Sequence, residues 1–252
     1  MTRKKFVTKP QSVVSTSWDD GAPLDCELSR LLNKHKVQAT FYVPWKPDNY
    51  DRIDDNELKK LARHFEIGAH TLTHPDLTAV PLREAKREIL GGKNELSALL
   101  NQEVEVFCYP RGKYTREIVS LVKESGFIGA RTIECFRVLR PVDFYRLWAT
   151  VPANPYSFWK AIGSIARSSF FANLAGISMV VKNVRKSWID LATAYFDYVR
   201  KNGGIFHLFG HSWEIERFGL WDELDEVLAY IAAHDNVMYL TNGELIRTLK
   251  AN

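Results

Sequence analysis

The chain has 252 residues, 46% of them hydrophobic and 25% charged, with a formal net charge of +4. That length suits one barrel-sized core or two small ones, and so mild a charge gives no sign of a nucleic-acid partner. Three widely spaced cysteines (Cys26, Cys108, Cys135) form no CxxC pair or finger-like pattern, so neither a disulfide framework nor a structural zinc site is signalled.

The first apolar run predicts a strand over residues 11–17, followed at once by Asp19-Asp20-Gly21. Neighbours on a strand point to opposite sides, so the two aspartates share one face only if the turn at Gly21 re-aims one of them. Taken alone, Asp-Asp-Gly is also ordinary turn chemistry. Leu24, Leu28, Leu31 and Leu32 recur at helical spacing, and a second strand is expected over residues 38–43. Asp54, with Glu57 three residues on, marks the start of a helix through Leu61. A third strand over residues 65–69 runs into HTLTH (His70 to His74), and a helix over residues 81–100 must accommodate Gly91-Gly92 as a break or kink. The fourth strand, residues 104–109, leads into CYPRG, and a helix over residues 115–125 has Gly126 as its C-cap. A fifth strand over residues 127–131 ends at Arg131, and a sixth is expected over residues 146–151. A helix over residues 188–201 precedes a seventh strand over residues 204–209, which ends in HLFGHSWE. The last units are a helix over residues 221–233, with Leu224, Val227, Leu228 and Ile231 on one face, and a strand over residues 237–240.

Seven or eight β-α units of this kind predict an α/β fold on a parallel sheet, barrel or doubly wound, whose chemistry collects at the carboxyl ends of the strands. No internal repeat or linker stands out, and one domain is expected over residues 1–252. The basic N-terminus MTRKKFVTKPQ lacks the apolar stretch of a secretion signal. The longest apolar run, near residues 170–181, is too short to cross a bilayer, so a cytoplasmic setting is the expectation.

Spacing decides what the histidines can do. Residues four apart on a strand lie about 13 Å apart at ~3.3 Å per residue, whereas four residues of helical turn rise only about 6 Å. His70 and His74 can therefore share a cation only if the chain turns helically after Ala69, and Pro75 suits a single such turn. Two imidazoles and a carboxylate with one position left open form the donor set of a catalytic zinc site. Asp20 is the natural third ligand, which leaves Asp19 as a base. Such a histidine pair is more often surface polarity at a helix start; the paired aspartates at another strand end reverse those odds. His207 and His211 are also four apart, but residues 205–209 read as a buried strand. His207 is expected as a hydrogen-bonded core histidine, and His211, released by Gly210, as a proton-transfer group at the mouth. The same donor set occurs in non-haem iron oxygenases, a chemistry in which Asp-Asp-Gly has no role.

SWDDG, HTLTH, CYPRG and FGHSWE, in this order on alternating segments, resemble the polysaccharide deacetylases, the NodB-type carbohydrate esterases. The likeness covers most of residues 11–245. It implies a single distorted (β/α) barrel with seven or eight parallel strands, a divalent metal, commonly zinc (Zn2+), and hydrolysis of an acetyl group on a saccharide. Carried over, Asp19 is implied as the general base, Asp20, His70 and His74 as metal ligands, and His211 as the general acid. A backbone N–H near Arg111 is implied as an oxyanion donor, and Tyr109 and Trp213 are further candidates for substrate contact. The family's usual third motif carries an arginine that orients the base, and Cys108 holds its place here. Arg131 is the candidate substitute, with a barrel-rim ion pair as its alternative role. Asp143 and Glu214 are both candidates to orient His211. Other readings are a metal-dependent amidase on a non-sugar C–N bond and a non-catalytic sugar-binding member.

From Phe144 to Ile189 there is no acidic residue. Phe158, Trp159, Ile162, Ile165, Ala166 and Phe170 form an apolar stripe opposite basic residues, within a helical insertion around residues 154–188. It reads as a barrel helix, or as an interfacial helix making peripheral contact with anionic lipid or a lipid-linked or nucleotide-linked sugar.

Overall fold

The computed structural model describes residues 12–155 and 187–251. Its strands are β1 (Ser12–Asp19), β2 (Thr40–Val43), β3 (Glu66–Ala69), β4 (Val106–Cys108), β5 (Gly129–Arg131), β6 (Val151–Pro152), β7 (Gly204–Gly210) and β8 (Met238–Tyr239). The helices between and after them are α1 (Asp25–His35), α2 (Asp55–Leu61), α3 (Leu82–Leu100), α4 (Arg116–Glu124), α5 (Trp188–Asn202), α6 (Ser212–Phe218), α7 (Trp221–Ala232) and α8 (Asn242–Ala251). Helix starts follow their side chains. The Asp54 carboxylate accepts from the amides of Asn56 and Glu57 at 2.8 and 3.0 Å, and Thr115 and Ser187 cap α4 and α5 in the same way.

The strands pair in parallel, in the order β5-β4-β3-β2-β1-β7-β6. β1 is the pivot, and all eight of its residues are buried. One of its edges pairs with β7 from Ser12 to Trp18, while Val13-Val14 pair with β8 and Ser17 to Asp19 with β2. The two ends of the sheet are joined through residues 147–153. Leu147 exchanges hydrogen bonds with Ala130 and Thr132, and three residues on Thr150 and Ala153 donate to the β7 carbonyls of His207 and Phe209. The sheet therefore curls into the distorted parallel barrel expected from the sequence.

Two local expectations are corrected. The strand expected over residues 146–151 shrinks to two residues because Phe144–Arg146 wind into a 3-10 turn, with the Asp143 carboxylate accepting from the Tyr145 amide. Helix α3 runs unbroken through Gly91-Gly92. A Cβ at Gly92 would lie 2.6 Å from the Thr71 carbonyl, and one at Gly91 2.5 Å from Leu72. The glycines bring α3 onto the loop after β3 rather than breaking it. Among the described residues no helix is long and apolar enough to cross a membrane. The apolar stripe of residues 158–170 and most of the insertion expected around residues 154–188 lie outside the described residues.

Candidate active site

The chain answers the question of the paired aspartates with a change of backbone hand. Asp19 is the last residue of β1, and Asp20 (φ 79°) and Gly21 (φ 60°) then turn through the left-handed region. That reversal lets both carboxylates face the mouth of the barrel. Gly21 has no room for a side chain, since a Cβ would come within 2.7 Å of Val43.

His70 and His74 do converge, but not by the helical turn expected. Thr71 (φ 73°) and His74 (φ 64°) bend the chain instead, and the His74 amide donates to the Thr71 hydroxyl at 3.0 Å. The bend is held from α3: the carboxylate of buried Glu88 accepts from the amides of Leu72 and Thr73 at 3.0 and 2.8 Å. His70 Nδ1 donates to the Cys108 carbonyl at 2.8 Å, which leaves Nε2 as the lone-pair donor toward the site. The two Nε2 atoms lie 3.1 Å apart, and Asp20 Oδ1 is 3.6 Å from that of His70 and 3.4 Å from that of His74.

These separations fit a cation. Two ligands at about 2.05 Å from a tetrahedral zinc stand roughly 3.3 Å apart. Asp20 Oδ1 is buried with no hydrogen-bond partner, as a ligand oxygen would be. Burial pushes His70 below its ordinary value, and burial and then His70 bring His74 down to about 4, so both imidazoles are neutral donors at pH 7. Asp19, His70 and Cys108 also lie within reach of one another. Burial pushes the Cys108 thiol well up, however, and Asp19 Oδ2 is engaged by Arg131, so Asp20, His70 and His74 are the better donor set.

Arg131 reaches Asp19 from β5. In the β4–β5 ladder Cys108 is the register partner of Arg131, and the guanidinium passes beside the small thiol (Nη2 to Sγ 3.0 Å) to pair with Asp19 Oδ2. Arg131 is fully buried and lies over the rings of Tyr42 and Phe209, at 5.3 and 4.9 Å from their centroids. Burial raises the Asp19 carboxyl, but Arg131, His70 and His211 together outweigh it and hold the group below the usual range. Asp19 Oδ1 is buried and has no hydrogen-bond partner.

The opposite wall comes from β7 and α6. His211 stands between β7 and α6 and donates from Nδ1 to Glu214 at 2.7 Å; its Nε2 faces Asp20 and Asp19 at 3.8 and 4.0 Å. Burial lowers His211, but Glu214 and the two aspartates raise it further, and the net shift is upward. Glu214 therefore partners His211, and Asp143, the other candidate, is spent on the turn before Leu147. Trp213 Nε1 donates to Asp20 Oδ2 at 3.0 Å, and Ser212 donates to the buried Asp25 at 2.6 Å. His207 is the core histidine expected: its Nδ1 donates to the Trp148 carbonyl at 3.1 Å, and its Nε2 meets the Ser17 hydroxyl at 2.9 Å.

Asp19, Asp20, His70, His74, His211, Trp213 and Glu214 line a cavity of about 380 Å³, with Arg111, Ile133, Asn154 and Phe209 also in its lining. Tyr109 is not part of it, a correction to its expected place. Its hydroxyl donates to the Tyr145 carbonyl and its amide to the Arg131 carbonyl, so neither is available to a substrate. Glu88, Tyr50 (ring 5.9 Å from that of His74) and Asp25 were not read from the sequence as site residues. The signal for Glu88 was present: it shares the apolar face of α3 with Ala85, Ile89 and Gly92, where an acid is out of place.

A parallel barrel whose strand ends bring two histidines and a carboxylate together has the architecture of a polysaccharide deacetylase. Residues 6–130 match the family model described as polysaccharide deacetylase, and the chain belongs to that family. It is 35% identical over 79 residues to a chitooligosaccharide deacetylase of Rhizobium leguminosarum bv. phaseoli, covering 29% of this chain and 33% of that one. It is 25% identical over 126 residues to the peptidoglycan-N-acetylmuramic acid deacetylase PdaC of Bacillus subtilis, covering 49% and 26%. The chain spans about half or less of the length of the curated relatives it matches. A crystal structure from Mycobacterium smegmatis, assigned as a polysaccharide deacetylase, superposes with a TM-score of 0.66 at 17% identity over 99% of this chain and 95% of that one. At that identity the likeness is one of fold.

Proposed function

We propose that this chain is a metal-dependent hydrolase that removes an acetyl group from an amino sugar or another acetylated saccharide. The observation that carries the reading is the triangle of Asp20 Oδ1, His70 Nε2 and His74 Nε2, with sides of 3.1 to 3.6 Å and an orphaned carboxylate oxygen as one corner. A divalent ion held there, zinc by choice of donors, supplies polarisation of the acetyl carbonyl and acidifies water.

The remaining work falls to side chains. Asp19, kept ionised by Arg131, presents Oδ1 to accept the proton of the attacking water. Arg131 thereby serves as a positioning residue in place of the arginine that Cys108 displaces. The amide at Arg111, on the turn Pro110–Gly112, is the candidate donor to the oxyanion. His211, charged against Glu214, gives its Nε2 proton to the departing sugar nitrogen. With Arg131 within reach of Asp19, the geometry favours catalysis over a non-catalytic sugar-binding role.

The test is acetate release from acetylated sugars by metal-reconstituted protein, with N-acetylated non-sugar amides in the same panel. Asp19→Asn is expected to keep the metal and lose activity, and His74→Ala to lose the metal. Normal turnover by Asp19→Asn would refute the assignment of the base. Turnover of the non-sugar amides alone would move the substrate class.

A further inference from the structure

Strands β1 and β7 stay in register as far as Trp18 and Gly210, and past that pair the ladder between them ends. Asp19 and Asp20 lie just beyond it on one side and His211 on the other. Side chains, not the sheet, therefore set the spacing of His211 from the aspartates. Two side-chain hydrogen bonds cross the gap: Trp213 Nε1 to Asp20 Oδ2 at 3.0 Å, and Ser212 Oγ to Asp25 Oδ1 at 2.6 Å. The first lies at the rim, since Trp213 is 37% exposed, whereas Ser212 and Asp25 are both fully buried. His211 makes no side-chain cap at the start of α6, and Ser212 spends its hydroxyl on Asp25 rather than on the helix.

Asp25 does not line the cavity, and no step of the hydrolysis uses it. It stands in the first turn of α1 without access to solvent. Acids are buried so completely only when paired. Its side-chain hydrogen bond comes from a neutral hydroxyl, however, and Oδ2 is buried with no hydrogen-bond partner. The titratable groups that face it are Asp19 and Asp20 after β1, His211 at the β7–α6 junction, and the Tyr50 phenol from the loop after β2. Burial first, then Asp20 and Asp19, push its carboxyl up to about 8 against the pull of Ser212 and His211. The start of a helix favours negative charge, but by less than it costs to take a carboxylate out of water with one neutral donor.

We propose, on the reading of His211 as the acid of a deacetylase, that Asp25 is a positioning residue: as an uncharged acid it tethers Ser212, and through Ser212 it fixes His211 against Asp19 and Asp20. An uncharged tether holds the segment without adding a third negative charge that would make Asp19 harder to ionise.

The experiment compares zinc-loaded parent protein with Asp25→Asn, Asp25→Leu and Ser212→Ala. Asparagine keeps an acceptor for Ser212, while leucine keeps the shape and removes it. In Asp25→Leu, kcat on an N-acetylhexosamine oligomer should fall about tenfold with KM and zinc content unchanged, and a crystal structure should show His211 Nε2 displaced by about 1 Å. Asp25→Asn should recover most of the activity and the parent position of His211. Ser212→Ala breaks the same link from the other side and serves where Asp25→Leu does not fold. It should displace His211 in the same way, and combining it with Asp25→Leu should cost no more than either alone. At pH 6 the carboxyl carbon-13 signal that is lost in Asp25→Asn should be that of a carboxylic acid. Equal losses in Asp25→Asn and Asp25→Leu, an unmoved His211 in Asp25→Leu or Ser212→Ala, or a carboxylate signal at pH 6 would overturn the proposal. His211 displaced in Asp25→Leu and restored in Asp25→Asn, in a protein that releases acetate from no sugar, would sink the deacetylase reading and leave Asp25 as the tether of His211.

Discussion

Replacing Arg131 with methionine should be the most informative single change in the barrel. The guanidinium is fully buried, and its partner Asp19 is 3% exposed. Removing one member of such a pair strands a charge in the interior, which costs about 4 kcal/mol. For a chain of this size each kcal/mol moves Tm by about 2–4 °C, so a fall of roughly 10 °C is expected. The sign with pH is fixed by Asp19. Its folded pKa is depressed, so its contribution is present above the unfolded value of about 3.9 and is lost as pH falls through the folded pKa. Without Arg131, burial becomes the stronger influence and the carboxyl moves up. Asp19 is then better tolerated protonated and is penalised as pH climbs. The gap between parent and variant should therefore widen from pH 4 to pH 7. Urea denaturation of chelator-treated protein at the two pH values reads it, with Asp19→Asn/Arg131→Met as the control that removes the stranded charge. A variant within 1 kcal/mol of the parent at pH 7, or a double variant no more stable than Arg131→Met alone, would refute the reasoning.

Gly92→Ala should cost about 1–3 kcal/mol and impair zinc binding, because the new methyl meets the Thr71 backbone, whereas Gly91→Ala meets only the Leu72 side chain and should be milder; thermal melts and zinc stoichiometry separate the two. Glu88→Gln removes the charge that gathers the Leu72 and Thr73 amides, and a chelator competition should show zinc affinity lower by about tenfold with the fold intact. In Glu214→Gln, His211 loses the partner that most raises it, so the alkaline limb of the kcat/KM profile, where His211 deprotonates, should move to lower pH. An unmoved limb would show that another group is the acid.

Periodicity carried the element order well, because strand and helix alternation depends on nearest neighbours in sequence. It also carried the convergence of His70 and His74, but for an incomplete reason: spacing says that the chain must turn, not that Thr71 and His74 do so with positive φ. Gly91-Gly92 departs from the expected break for a related cause. A glycine pair reports freedom or closeness, and only the packing of α3 on Thr71 distinguishes them. Arg131 could be nominated from its strand end. Its choice over other basic residues follows from its register with Cys108, a relation between strands that a single sequence does not display. Tyr109, a candidate for substrate contact from the sequence, has its hydroxyl and amide both consumed inside the barrel, pairings that the sequence does not display.

Four consecutive residues at the start of α6 tie together parts that a designer would wish to adjust one at a time. His211 faces the aspartates, Ser212 is anchored to Asp25, Trp213 grips Asp20, and Glu214 holds His211. Sliding this segment by one residue would disturb the proposed proton donor and the carboxylate proposed to hold the metal in the same stroke. Variation in what the pocket accepts therefore has freer ground across the cleft, around Arg111 and Ile133, than along this segment.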